Sequence, residues 1–76
     1  MREKIEKLAK LHDISIERIN VWTQSIWLYN KNHANTDKFI ADLRTKVFIT
    51  CISEYFEQNR PKHYPNSVSI TYKEID

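Results

Sequence analysis

The chain has 76 residues, the length of one small domain, and a single cysteine, so no disulfide can form within it and a reducing, cytoplasmic location is expected. Hydrophobic residues make up 41% and aromatic residues 12%, which is enough to fold, whereas a formal net charge of +2 does not by itself indicate nucleic acid or an anionic membrane. The chain contains no glycine, which excludes a phosphate-binding P-loop and a dinucleotide-binding fingerprint.

The first predicted element is a short helix over residues 3–12. Its apolar residues recur at helical spacing, and lysines cover the remaining surface. These apolar residues are Ile5, Leu8, Ala9 and His12, with Leu11 beside them. Asp13 interrupts the pattern, and either Asp13 or Ser15 could cap a second helix.

The second predicted helix covers about residues 16–33 and has one broad apolar face. That face consists of Ile16, Ile19, Trp22, Thr23, Ile26, Trp27 and Tyr29. Val21 and Leu28 lie seven residues apart on another side, which also carries Arg18. This pair either packs on another helix of the same fold or forms a patch that faces a partner.

The third predicted helix follows an asparagine-rich loop over residues 30–35. Asn35 or Thr36 would cap it, and it would continue to about residue 59 and stop before Pro61. Residues 47–52 form a β-branched apolar run that fits a buried strand as well as a buried helix. The absence of a helix breaker over residues 37–59 favours the helix.

The C-terminal residues differ in character from the rest. Residues 60–64 form a basic, aromatic connector ending at Tyr64, which either contacts an acidic partner or nucleic acid or is a solvated helix exit. Residues 67–72 alternate as a half-buried strand does, with Val68, Ile70 and Tyr72 on one side. A lone strand would pair with a partner's sheet edge or its mate in a homodimer, or lie against the helices.

Together these elements predict a mainly α fold, a small bundle of three main helices with a short C-terminal extended segment. Residues 1–60 would form the helical bundle domain, and residues 61–76 the connector and extended tail.

The sequence predicts no catalytic residue, no cofactor and no metal site. The three histidines and Cys51 lack the paired close spacing of a zinc site. Cys51 lies in an apolar run, which disfavours a reactive thiolate. No run approaches the roughly 18 apolar residues of a membrane span, so no membrane partner is expected. These features favour a binding protein over an enzyme.

One candidate binding motif is a helix-turn-helix over residues 5–24. Ala9 would be the small residue at the helix crossing. The residues that would face a DNA groove are Ser15, Arg18 and Gln24. Asp13 in the turn and Glu17 near the phosphates argue against it, and two antiparallel helices of an ordinary bundle would show the same residues.

A family resemblance provides a second lead. Leu8-Ala9-Lys10-Leu11, followed by Glu17-Arg18-Ile19-Asn20-Val21, resembles the start of the theta subunit of bacterial DNA polymerase III. The loop at Asn35 and the element Ile40-Ala41-Asp42 are similar in order. The resemblance implies a non-catalytic three-helix subunit that binds and stabilises the proofreading exonuclease during DNA replication.

The leading hypothesis is therefore a non-catalytic, protein-binding accessory subunit. Its partner-binding residues would be Arg18, Val21, Leu28, Tyr64, Val68, Ile70 and Tyr72. A helix-turn-helix DNA-binding regulator is the first alternative. A small phage- or plasmid-borne inhibitor or immunity-type protein is the second.

Overall fold

The computed structural model describes residues 1–57 and 64–75. Within these residues the chain forms two helices and four strands. In chain order they are α1 (Arg2–Leu11), β1 (Ser15–Asn20), β2 (Ser25–Tyr29), α2 (His33–Leu43), β3 (Val47–Tyr55) and β4 (Ser67–Glu74).

The four strands form one antiparallel sheet in the order β1-β2-β4-β3. The chain is thus two successive helix-strand-strand units. The second strand of each unit, β2 and β4, lies at the centre of the sheet, and these two strands pair with each other. The first strand of each unit forms an edge.

The first predicted helix is confirmed as α1. Its apolar face is buried through Ile5, Leu8 and Ala9. The helix ends at Leu11, with His12 as its C-cap. Asp13 then adopts a φ of 55°, which turns the chain so that the Ile14 amide donates to the Ala9 carbonyl at 2.7 Å. A left-handed residue after the last turn is a common helix ending, and here Asp takes the place of the usual glycine.

The predicted second helix is wrong, because residues 15–29 form the hairpin of β1 and β2. At the turn the Asn20 side chain accepts hydrogen bonds from the amides of Trp22 and Thr23, at 3.0 and 3.1 Å, and Gln24 has a φ of 53°. Side chains predicted to share a helical face alternate across the sheet: Ile26 is buried, whereas Trp27 faces the other side. The hydrogen bonds between the Asn20 side chain and the backbone of the turn are of a kind that competes with helix formation.

The helix-turn-helix over residues 5–24 is consequently not formed. α1 is its only helix, and a strand occupies the place of the recognition helix. Residues Ser15 and Arg18 lie on that strand and Gln24 lies in the turn, so none of them is presented on a helix.

The predicted third helix is wrong over its second half. α2 begins after Asn32, whose side chain accepts from the Asn35 amide at 3.1 Å, and it ends at Leu43. Neither Asn35 nor Thr36 is the cap. The run over residues 47–52 belongs to β3, where its β-branched side chains suit a pleated sheet.

The predicted C-terminal strand is confirmed as β4, with Val68, Ile70 and Tyr72 on the buried side. Its neighbours are β2 and β3 of the same chain. The fold is therefore α+β, with two helices and a four-stranded antiparallel sheet, and the mainly α three-helix bundle is corrected. The connector at residues 60–63 and the predicted boundary after residue 60 lie outside the described residues.

One face of the sheet packs against both helices, and this contact forms the core. The buried residues from the strands are Ile19, Ile26, Leu28, Val47, Val68, Ile70 and Tyr72. The helices add Ile5, Leu8, Ala9, Phe39 and Leu43 to the same cluster. The opposite face carries no helix in the described part of the chain, and it presents the remaining strand side chains outward.

Candidate functional site: the open face of the sheet

The open face is the side of the sheet opposite the helices, and strand register fixes which residues lie on it. Across β1, β2, β4 and β3 it carries Ser15, Arg18, Asn20, Ser25, Trp27, Tyr29, Ser67, Ser69, Thr71, Lys73, Phe48, Cys51, Ser53 and Tyr55. Aromatic and hydroxyl side chains dominate this set.

Three open-face side chains form a stack across the sheet. The rings of Trp27 and Tyr55 lie with centroids 5.4 Å apart and planes at 24°. The Arg18 guanidinium carbon lies 5.2 Å from the centroid of the Trp27 ring. Arg18 reaches Trp27 from β1, and Tyr55 reaches it from β3, so the three side chains cross all four strands.

The stack depends on small residues in the central strand β4. Ser69 lies opposite both Trp27 and Ser53 and is only 8% exposed although it belongs to the open face. Rings from the two strands flanking β4 can meet because nothing larger than serine stands between them. A large side chain at Ser69 would separate the rings.

The open face carries few charged residues. Arg18 and Lys73 are the charged residues that strand pairing places on it, and Glu17, which the β1 bulge inserts next to Arg18, adds an exposed carboxylate at the edge strand. Both cations are exposed. A surface that combines aromatic rings and hydroxyls with two exposed cations favours an anionic, ring-containing ligand.

A groove of about 610 Å³ opens at one end of this face, where β2 and β3 end and β4 begins. Tyr29, Tyr55 and Phe56 supply its aromatic walls, and Lys31 and Asn66 are among its polar lining. Tyr55 also belongs to the stack, so the groove continues the open face.

Two asparagines hold the groove in place. The Asn30 amide donates to the Asn66 carbonyl at 2.8 Å, and the Asn30 side chain donates to the Pro65 carbonyl at 2.7 Å. The Asn66 amide donates to the Tyr55 carbonyl at 2.7 Å, while its side-chain oxygen accepts from the Glu57 amide at 2.9 Å. The ends of β2 and β3 are thus joined to the start of β4.

The other end of the sheet carries the hairpin tip, which we define as Val21 and Trp22. Trp22 is 93% exposed and Val21 is also exposed. The amides of Trp22 and Thr23 donate to the Asn20 side chain, and the Tyr72 amide donates to the Gln24 carbonyl at 2.9 Å. These bonds fix the backbone of the turn. A tryptophan presented on an ordered turn is a candidate contact residue.

The residues predicted to bind a partner separate into two groups. Arg18, Val21 and Tyr64 are exposed, and Tyr64 stacks on His33 with centroids 4.1 Å apart. Leu28, Val68, Ile70 and Tyr72 are at most 3% exposed and belong to the core. A partner cannot reach these four side chains while the fold is intact, which corrects their assignment.

Sequence reasoning missed the aromatic stack. Trp27 and Tyr29 were assigned to a helix face, and Tyr55 to the end of a long helix. The available signal was the run of four apolar residues over positions 26–29. Read as a strand, this run has apolar side chains on both faces, so one of the two sets must lie outside the core.

Comparison with protein-family models, with curated proteins and with solved structures finds no match to this chain. Neither helix described here is long and apolar enough to cross a membrane. In the described part of the chain, no three histidine, cysteine, aspartate or glutamate residues come together as a group that could hold a metal ion.

Proposed function

We propose that this chain is a non-catalytic binding protein that holds single-stranded nucleic acid on the open face of its sheet. The observation that carries the proposal is the stack of Arg18, Trp27 and Tyr55 across the open face. Nucleic acid would thus bind to the sheet and not to a helix-turn-helix.

The single-stranded form follows from the chemistry of stacking. A base in a duplex is already stacked and paired, whereas an unpaired base can place its ring on a protein aromatic side chain. Tyr29, Tyr55 and Phe48 are exposed on the open face and offer such rings. The half-buried hydroxyls of Ser67 and Thr71 in β4 lie between the flanking strands and can bond to bases or to sugar oxygens.

The small number of cations predicts a shallow salt dependence. Arg18 and Lys73 can neutralise two phosphates, which for a single strand corresponds to a slope of about −1.4 in log affinity against log salt. Affinity for a short oligonucleotide should therefore fall about sevenfold between 50 and 200 mM salt.

The test is a fluorescence titration with thymidine and uridine oligonucleotides. The chain has two tryptophans, so Trp22→Phe leaves Trp27 as the sole reporter in the stack. We expect quenching of Trp27, and Tyr55→Ala should weaken binding by roughly 5- to 100-fold, because one base stack is worth about 1–3 kcal/mol. Arg18→Gln should weaken binding and flatten the salt dependence.

Lys38→Gln on α2 is the matched control, since it removes an exposed cation outside the open face. It should bind as the parent does, with all variants keeping the same circular dichroism. If no oligonucleotide binds at low salt, or if Tyr55→Ala and Lys38→Gln behave alike, the proposal is wrong.

The hairpin tip supports a second candidate, a protein-binding accessory subunit. Trp22 at 93% exposure is the kind of rigid aromatic side chain that fills a pocket on a partner. The chain does not have the three-helix fold that the theta resemblance implies. Support for a protein-binding role therefore comes from the hairpin tip. An inhibitor or immunity-type protein would use the same kind of contact on another protein.

Titration calorimetry against a bacterial proofreading exonuclease domain tests this second candidate. Trp22→Ala should abolish the heat of binding, whereas Arg18→Gln should leave it unchanged. If Trp22→Ala still gives heat of binding, the hairpin tip is not the contact surface. If the parent protein gives no heat, the exonuclease domain is not the partner.

We also propose a cytoplasmic location. Cys51 is exposed and unpaired among the described residues, and an exposed thiol suits a reducing compartment.

A further inference from the structure

We infer that the groove at the Tyr29 and Tyr55 end of the open face is a seat for one terminal nucleotide of the bound strand. The inference rests on the function proposed above and adds a defined end to the binding surface. The terminal base would pack against the aromatic walls, and its phosphate would lie near Lys31.

The groove is continuous with the stacked residues, which is why its occupant should be part of the same ligand. Tyr55 contributes to both features, and Tyr29 lies on the open face two residues beyond Trp27 in β2. A strand that follows the aromatic side chains towards the end of β2 therefore enters the groove.

The size and lining of the groove fit a nucleotide. Pockets of about 300–1,000 Å³ hold ligands up to drug size, and a groove of about 610 Å³ has room for one base with its sugar and phosphate. Tyr29 and Phe56 provide ring surface, and Lys31 provides a cation. Glu57 also lines the groove, so the seat is not uniformly basic and one phosphate contact is the expected number.

Asn66 supplies a polar group that can read or anchor the nucleotide. Its side-chain oxygen is occupied by the Glu57 amide, whereas its side-chain nitrogen has no acceptor among the described residues. Because backbone bonds join Asn66 to Asn30 and Tyr55, this donor is held in position before any ligand arrives.

The experiment compares oligonucleotides of about eight nucleotides that carry a base or an abasic sugar at each end. With the parent protein, removing the base at one end should weaken binding roughly 5- to 100-fold, whereas removing it at the other end should have a much smaller effect. Phe56→Ala should weaken binding of the intact oligonucleotide and erase the penalty of the abasic end. Where the groove is occupied, Lys31 adds a third phosphate contact and the salt slope should steepen from about −1.4 to about −2.1, and Lys31→Gln should return it to about −1.4.

Leu11→Ala is the control, because Leu11 is an exposed apolar residue on α1 outside the groove. If the oligonucleotides bind but neither abasic end matters, or if Phe56→Ala and Leu11→Ala give the same affinities, the groove inference is overturned and the open-face proposal stands. If no oligonucleotide binds to the parent protein, both fail together.

Discussion

At the residue scale, Thr36 shows how a polar side chain is accommodated in the core. It is 1% exposed, and its hydroxyl lies 2.6 Å from the Asn30 side-chain oxygen and 3.2 Å from the Asn32 carbonyl. The hydroxyl therefore connects the first turn of α2 to the asparagine that also holds Pro65. Buried polar groups of this kind stabilise a fold only while their partners are satisfied.

Thr36→Val tests this connection because valine has nearly the same shape without the hydroxyl. The Asn30 oxygen would lose its donor, and the free energy of unfolding should fall by about 1–3 kcal/mol. Urea unfolding measures the change. Thr45→Val is the matched control, since the Thr45 hydroxyl donates to the Asp42 carbonyl at an exposed site and should matter less. Equal losses in the two variants would contradict the role assigned to Thr36.

At the element scale, the two tight connections of the first unit are made without glycine. Asp13 after α1 and Gln24 before β2 both have positive φ, at 55° and 53°. A left-handed conformation costs a residue with a β-carbon roughly 1–2 kcal/mol, although aspartate is tolerated there better than most residues. The strain at Gln24 is offset by the Tyr72 amide that bonds to its carbonyl.

Gln24→Gly should therefore stabilise the protein. Glycine removes the strain at positive φ, and part of the gain is lost to the greater flexibility of the unfolded chain, so an increase of up to about 1 kcal/mol is expected. Asp13→Gly should give a smaller increase. Gln24→Val should destabilise, because a β-branched residue is poorly suited to this region. Thermal unfolding of the three variants checks this order. A Gln24→Val protein as stable as the parent would contradict it.

An element could be predicted from the sequence where its apolar residues recur with one clear period. α1 and β4 were predicted because each has a single period, of helical spacing in one and of strict alternation in the other. The hairpin of β1 and β2 was mistaken for a helix because both faces of β2 are apolar. Its turn lacks glycine and proline, and the signal that remained was the side chain of Asn20.

The candidate site could be predicted only in part for the same reason. Arg18 was selected from its place beside Val21, and it does lie on the open face. Its contact with Trp27 depends on the β1–β2 register, and that of Trp27 with Tyr55 on a strand pairing between residues far apart in sequence. No local pattern specifies that β4 enters between β2 and β3.

At the scale of the whole molecule, the position of β4 makes the last part of the chain essential to the fold. β4 lies between β2 of the first unit and β3 of the second, so loss of its core contacts should affect both units together. Tyr72 on this strand is 2% exposed, and burial raises the pKa of its phenol above the ordinary value of 10.0, with a smaller contribution from the Glu74 carboxylate.

This shift predicts how stability depends on alkaline pH. Because the folded-state pKa is raised, the unfolded chain loses the Tyr72 proton first, so the contribution of the neutral phenol is intact below about pH 10 and is lost as the pH rises towards the folded-state pKa. Tyr72→Phe removes this ionisation and keeps the ring in the core. The unfolding free energy of the parent should therefore fall more steeply than that of Tyr72→Phe above pH 10, as measured by urea unfolding at a series of pH values. The exposed tyrosines and the lysines are common to both proteins, so parallel curves would show that Tyr72 ionises as freely in the folded chain as in the unfolded one.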